Sequence, residues 1–171
     1  DAMGEPRPPR QAVVDSIGYT LENQFRLFTD RALEEFLRIY RAYYATIACE
    51  QTSLLPGAAE SLHRLSDAGL RFGFATSKKR EYAEIILDHL GILRYFEVRV
   101  GPYDVEHPKP NPEALLKTLD ALGVKREEAF FIGDTDFDVL AARAAEVRCL
   151  CVTTGYDSRE KLVSLKPERV F

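Results

Sequence analysis

From Pro56-Gly57 onward, short apolar runs alternate with amphipathic helical stretches, and this alternation leaves few folds open. The runs are Phe72 to Ala75, the weaker Glu97 to Val100, Ala129 to Ile132 and Val147 to Val152, each too short to be a helix. Between them lie helical patterns. Leu62 and Leu65 form one, closed by Gly69, and Tyr82, Ile85, Ile86 and Leu90 form a second, closed by Gly91. A third carries Leu115, Leu119 and Leu122, with Asn111 as its cap, Pro112 in its first turn and Gly123 at its end; a fourth runs from Phe137 to Ala145. Strands that alternate with helices form a parallel sheet with helices on both faces, so residues 53–171 are expected to be an α/β core of three layers.

The stretch before this core has a different texture. Asp1 to Arg10 is rich in proline and charge and reads as a loop. Val13, Val14 and Ile17, then Leu21, Phe25 and Phe28, give two short helices broken at Gly18. Leu33, Phe36, Leu37, Tyr40, Tyr44 and Ile47 then recur at steps of three and four, the pattern of a longer amphipathic helix. Residues 1–52 are therefore expected to form a small helical module.

Hydrophobic residues make up 46% and charged residues 29% of the chain, the balance of a globular protein rather than a disordered one. No apolar run reaches the ~20 residues of a membrane span. A net charge of −4 gives no sequence-wide basic footprint, so neither a membrane nor nucleic acid is an expected partner. Cys49, Cys149 and Cys151 match no zinc pattern. Cys149 and Cys151 fall on one face of a strand and are expected to pack as small apolar groups, which fits a reducing, cytoplasmic setting.

Ligands of parallel α/β sheets bind at the carboxyl ends of the strands, and three such ends carry polar residues. Phe74-Ala75 runs into Thr76-Ser77 and then Lys78-Lys79-Arg80. Hydroxyls and free N–H groups at a helix entry suit a phosphate, although the same residues also make an ordinary helix cap with a basic turn. His107-Pro108-Lys109-Pro110-Asn111-Pro112 holds a lysine on a stiff loop, where it can neutralise phosphate oxygens or simply face solvent. Phe130-Phe131-Ile132-Gly133 ends in Asp134, Asp136 and Asp138, three carboxylates within five residues. Crowded carboxylates resist ionisation unless a cation is near, and a helix cap needs one acid rather than three, so a hard divalent ion is favoured.

Together these residues resemble the haloacid dehalogenase superfamily of phosphohydrolases, in particular its phosphoglycolate-phosphatase-like branch with a helical cap. The resemblance implies a Rossmann-like core and Mg²⁺-dependent hydrolysis of a small phosphorylated metabolite. It implies that Thr76 and Ser77 bind the transferring phosphoryl group. Lys109, in Lys-Pro-Asn-Pro, would stabilise the nucleophile and the phosphoryl oxygens. Asp134 would hold Mg²⁺ directly, with Asp138 often acting through water. Residues 1–52 would be the cap, so Ile17-Gly18-Tyr19-Thr20 and Arg26 are the candidates for substrate contact, although Gly18 can equally be a simple break between helices. A monomer or homodimer is expected.

One feature of the family is absent from the 171 residues. No apolar run ends in Asp-x-Asp-Gly-Thr, whose first Asp attacks phosphorus. Val13-Val14-Asp15-Ser16 lacks the second Asp, and Asp134-Thr135-Asp136 stands in the metal motif. Asp1-Ala2-Met3-Gly4-Glu5-Pro6 resembles the tail of the first cap helix, so the family's first strand is expected to lie outside these residues, and the chain alone is expected to be inactive. That strand is central in the sheet, and without it the flanking strands would carry unpaired backbone groups. Two other readings share the same strand ends: a non-catalytic relative that binds a phosphorylated ligand or a protein, and a phosphosugar mutase.

Overall fold

The computed structural model describes residues 7–30 and 32–171. The expected helix tail at Asp1 to Pro6, and most of the expected opening loop, lie outside the described residues. Three helices come first: α1 (Arg10–Asp15), α2 (Leu21–Arg26) and α3 (Leu33–Ile47). Thr20 accepts a hydrogen bond from the Asn23 N–H and so starts α2. Gly18 separates α1 from α2 at φ +114°, a backbone region that side chains disfavour. The helices are joined by stacked rings rather than by a deep core: Phe25 lies on Phe36, Phe36 on Tyr40, and Tyr40 on Tyr44.

The α/β alternation follows: α4 (Ala58–Asp67), β1 (Phe72–Ala75), α5 (Arg80–His89), β2 (Phe96–Val100), α6 (Glu113–Leu122), β3 (Phe130–Gly133), α7 (Asp136–Ala144), β4 (Arg148–Cys151), α8 (Arg159–Ser164) and β5 (Arg169–Val170). Every strand pairing is parallel. Asn111 does cap α6, since its side chain accepts from the Glu113 N–H at 3.0 Å, but the helix begins after Pro112 rather than with it. The main core joins α6, α7 and α8 to β4. Ala141, Ala142 and Ala145 are fully buried and let α7 lie close to the sheet, where Val139, Cys151 and Leu162 pack beside them. Cys149 and Cys151 are buried free thiols with their sulfurs 3.9 Å apart.

The expected single sheet is divided. Among the described residues β1 pairs only with β2, and β3, β4 and β5 form a separate sheet in that order. β1 and β3 are not bonded to each other, so each carries an unpaired edge. A cavity of about 1320 Å³ opens between them, lined by Phe72 and Phe74 of β1, Phe130 and Ile132 of β3, and leucines of α4 and α6. Phe130 is 47% and Ile132 60% exposed, values that belong to a strand with one face and one edge uncovered. No described helix is long and apolar enough to cross a membrane.

Candidate active site

The turn after β3 is built around Asp138. Its Oδ2 accepts from the N–H groups of Asp134 and Thr135 and from the Thr135 hydroxyl, at 3.1, 3.0 and 2.8 Å. Thr135 and Asp138 thereby form a reciprocal cap at the start of α7. The other oxygen of Asp138 accepts from the Lys109 ammonium at 2.6 Å. Oδ2 thus takes three donors and Oδ1 one, the Lys109 ammonium. Burial alone would raise its pKa, but the Lys109 charge and the surrounding donors outweigh burial and hold the carboxyl below its usual range.

Asp134 is the opposite case. No hydrogen bond from another described residue reaches its carboxylate. Burial, and then the negative charge of Asp138, push its pKa up. The loop after β4 passes directly over it: a Cβ added at Gly155 would lie 1.8 Å from Asp134 Oδ2. Asp136 turns away. Its carboxylate meets Lys161 at 2.9 Å, and its N–H donates to Asp157, which Lys161 also holds. The three acids of the sequence motif thus have three different surroundings, and among the described residues no group of three or more potential ligands converges on one point. Asp134 alone offers an unpartnered, partly enclosed carboxylate, which fits one oxygen ligand of a hard cation such as Mg²⁺. Asp138 fits the role of positioning Lys109 and the turn.

Lys109 reaches this cavity from the Pro-rich loop before α6, and its side chain is only 10% exposed. Thr76 and Ser77 line the same cavity from the end of β1. The Thr76 N–H still pairs with Val100, while its hydroxyl accepts from the Lys78 N–H at 3.0 Å. Ends of β1 and β3 therefore face each other across the slot, with Thr76 and Ser77 on one side and Asp134 on the other.

The segment α1–α3 contacts the loops that follow β1 and β2 and the first turn of α7 after β3, which puts it over the carboxyl ends of the strands. Lys78 donates to the Tyr44 hydroxyl, Arg41 to the Tyr103 hydroxyl, and Tyr82 to the Arg41 carbonyl. Tyr103 also donates to Glu22, and burial together with this carboxylate pushes the phenol up to about 12. Gly18 lies against Phe137, where a Cβ would come within 2.9 Å of the ring, and Tyr19 packs edge-on to the same ring at 4.7 Å. Of the cap candidates, Gly18 and Tyr19 line the cavity, whereas Arg26 is exposed at the last turn of α2 and does not. Thr20 is spent on capping α2.

Tyr44, Phe137, Gly155 and Asp157 were not legible as site residues. Tyr44 reads as one apolar position of α3, Phe137 as a spacer within the Asp134 to Asp138 motif, and Gly155 and Asp157 carry no motif.

A Rossmann-like core whose polar residues gather at one end, beneath a helical layer, defines a class of capped α/β proteins. The chain belongs to the haloacid dehalogenase-like hydrolase family, whose model matches residues 2–152. It is 36% identical over 146 residues to the phosphoglycolate phosphatase of Salmonella choleraesuis (strain SC-B67), covering 83% of this chain and 58% of that protein. The phosphoglycolate phosphatase of Escherichia coli (strain K12) is 34% identical over the same length, with the same coverage. The chain thus spans less than two thirds of the length of these relatives. Among solved structures, a haloacid dehalogenase-like family hydrolase from Streptococcus pneumoniae superposes with a TM-score of 0.85 at 25% identity, covering 99% of this chain and 80% of that one.

Proposed function

We propose that this protein hydrolyses small, phosphoglycolate-like phosphomonoesters, with Mg²⁺, through an aspartyl-phosphate intermediate. The observation that carries the reading is that Thr76, Ser77, Lys109 and Asp134 all line the slot between β1 and β3. An apolar strand seated there would complete both sheet edges, and its carboxyl end would emerge between the phosphoryl-binding hydroxyls and Asp134. An aspartate at that end would be the nucleophile.

The roles follow from charge. Thr76 and Ser77 donate hydrogen bonds to phosphoryl oxygens, and Lys109 faces the negative charge that develops as the phosphoryl group moves. Asp138 holds the Lys109 ammonium in place through their ion pair. Mg²⁺ held by Asp134 would supply further charge neutralisation at the phosphoryl oxygens. In the first step a carboxylate oxygen bonds to phosphorus while the ester P–O bond breaks, and the leaving oxygen takes a proton that ultimately comes from solvent. Water then attacks phosphorus, the P–O bond to the carboxylate breaks, and phosphate leaves with the carboxylate restored and the water's proton returned to solvent. The layer α1–α3, resting on the loops at the strand ends, would exclude bulk water during transfer.

The test is phosphate release by the full-length protein from a panel of small phosphomonoesters, with Mg²⁺ or with excess EDTA. Release that needs the metal is expected. No release from any ester contradicts the reading.

A further inference from the structure

We propose that Asp157 and Lys161, which lie outside the cavity, are positioning residues for Asp134: their ion pair clamps the loop after β4 against the start of α7 and so confines the carboxylate that would hold the metal. The proposal rests on the phosphatase reading above and adds two residues to the support of its metal site.

The backbone that carries Asp134 is held by two carboxylates, and each of these is held by a lysine. On one side Asp138 takes the N–H groups of Asp134 and Thr135 and pairs with Lys109. On the other, Asp157 Oδ2 accepts from the N–H of Asp136, the first residue of α7, at 2.8 Å. A helix start leaves this donor without an intrahelical partner, and the acceptor comes from 21 positions further along the chain. Asp157 Oδ1 lies 2.8 Å from the Lys161 ammonium, which also meets Asp136 Oδ2 at 2.9 Å. Lys161 therefore stands between two carboxylates that would otherwise repel each other across the gap between loop and helix.

That gap sets the surroundings of Asp134. Loop 152–157 is anchored at its start, where the N–H and the hydroxyl of Thr153 both donate to the Phe171 carbonyl, and at its end by Asp157. Between the two anchors Gly155 lies against Asp134 Oδ2. Lys161 has a firm base, because Ser158 accepts from its N–H at 3.2 Å and the fully buried Leu162 seats α8 in the core. Asp134 and Tyr156 line the cavity, whereas Asp136, Asp157 and Lys161 do not. Lys161 can thus reach the site only through the loop or through its charge.

These two routes have opposite signs. Through space a lysine repels a metal ion, so removal of the Lys161 charge would tighten Mg²⁺ binding. A clamp does the reverse. Without Lys161 the carboxylates of Asp136 and Asp157 push the loop off α7, Asp134 is no longer confined, and binding weakens.

The test is titration of the melting temperature of the full-length protein with Mg²⁺, which yields an apparent Kd without turnover. Lys161→Met is expected to raise this Kd by about tenfold, the low end for loss of a group that orients a metal ligand. Lys161→Arg should keep most of the affinity, since a guanidinium can meet both carboxylates. Lys161 is 47% exposed, so the Met variant is expected to fold, and Lys161→Gln reads the same quantity if it does not. An unchanged or lower Kd on loss of the charge overturns the proposal, and so does an Arg variant as weak as the Met variant. A lower melting temperature without metal, with Kd unmoved, marks a residue that only holds the fold and overturns it as well. A parent protein whose melting temperature does not respond to Mg²⁺ overturns the metal site and this assignment with it. A parent that binds Mg²⁺ but releases phosphate from no ester overturns the phosphatase reading alone, and the change in Kd still decides the clamp.

Discussion

Lys109, in the loop before α6, and Asp138, in the first turn of α7 and 29 residues further on, form an ion pair with Nζ 2.6 Å from Oδ1, and only 10% and 6% of the two side chains remain exposed. Removing one member of such a pair strands the other charge, at a cost of about 3–5 kcal/mol. Asp138→Ala should therefore destabilise the protein strongly, since it also removes one half of the reciprocal cap of α7. Urea unfolding of Asp138→Ala and of the double variant Lys109→Met/Asp138→Ala checks this. The double variant should be the more stable of the two, because no ammonium is then left unpaired.

Lys109→Met should act chiefly on kcat. The ammonium is expected to meet charge that is greatest during transfer, and interactions stronger in the transition state than in the ground state appear in kcat. A fall of roughly 10²–10³ is the scale for losing one such donor. Steady-state kinetics that show a raised KM with kcat unchanged would reduce Lys109 to a substrate-binding cation.

Asp134→Asn should melt higher than the parent without metal and lose the Mg²⁺-induced rise in melting temperature. Burial and the Asp138 charge disfavour an ionised Asp134, so neutralising it relieves repulsion. It also removes an oxygen ligand, and with it stabilisation by mass action of a ligand bound only to the native state. Thermal melts of both proteins, with and without millimolar Mg²⁺, read the two effects together. Equal Mg²⁺ shifts in parent and variant would take Asp134 out of the metal site.

These three residues show what a sequence can and cannot disclose. β1 falls where the apolar run Phe72 to Ala75 put it, and β3 and β4 shift by a residue or two at their ends, because strand pairing rather than hydrophobicity sets the last bonded residue. α8 went unread: six residues leave little room for periodicity, and its signals reduce to Ser158 as cap and the fully buried Leu162. Spacing marked Asp134, Asp136 and Asp138 as one cluster. Their division into a free carboxylate, a partner of Lys161 and a buried partner of Lys109 depends on loops distant in sequence. Tyr44 was legible as a helix position but not as the partner of Lys78, since that contact joins residues 34 apart. The split of the sheet followed from the absent Asp-x-Asp-Gly-Thr run; the cavity that results could be measured only in three dimensions.

Gly155→Ala should weaken Mg²⁺ binding while leaving the core of the fold in place. The loop passes so close to Asp134 that an added methyl group would overlap its carboxylate, and either the loop or Asp134 must move. Gly155 itself is exposed, so little core packing is at stake. Titration of the melting temperature with Mg²⁺ should give a higher apparent Kd for the variant. An unchanged Kd would mean that the loop yields freely and does not confine Asp134.

The central claim is that a phosphoryl group passes through an aspartate on a strand held between β1 and β3. The most direct measurement is rapid acid quenching of the full-length protein during turnover of 2-phosphoglycolate with Mg²⁺, followed by mass spectrometry of its peptides. The account predicts one hydroxylamine-labile phosphoryl group, on an aspartate at the carboxyl end of that strand, absent from the Asp134→Asn variant. Turnover at full rate with no phosphoryl group on the protein at any quench time would contradict it, since water would then attack the ester directly.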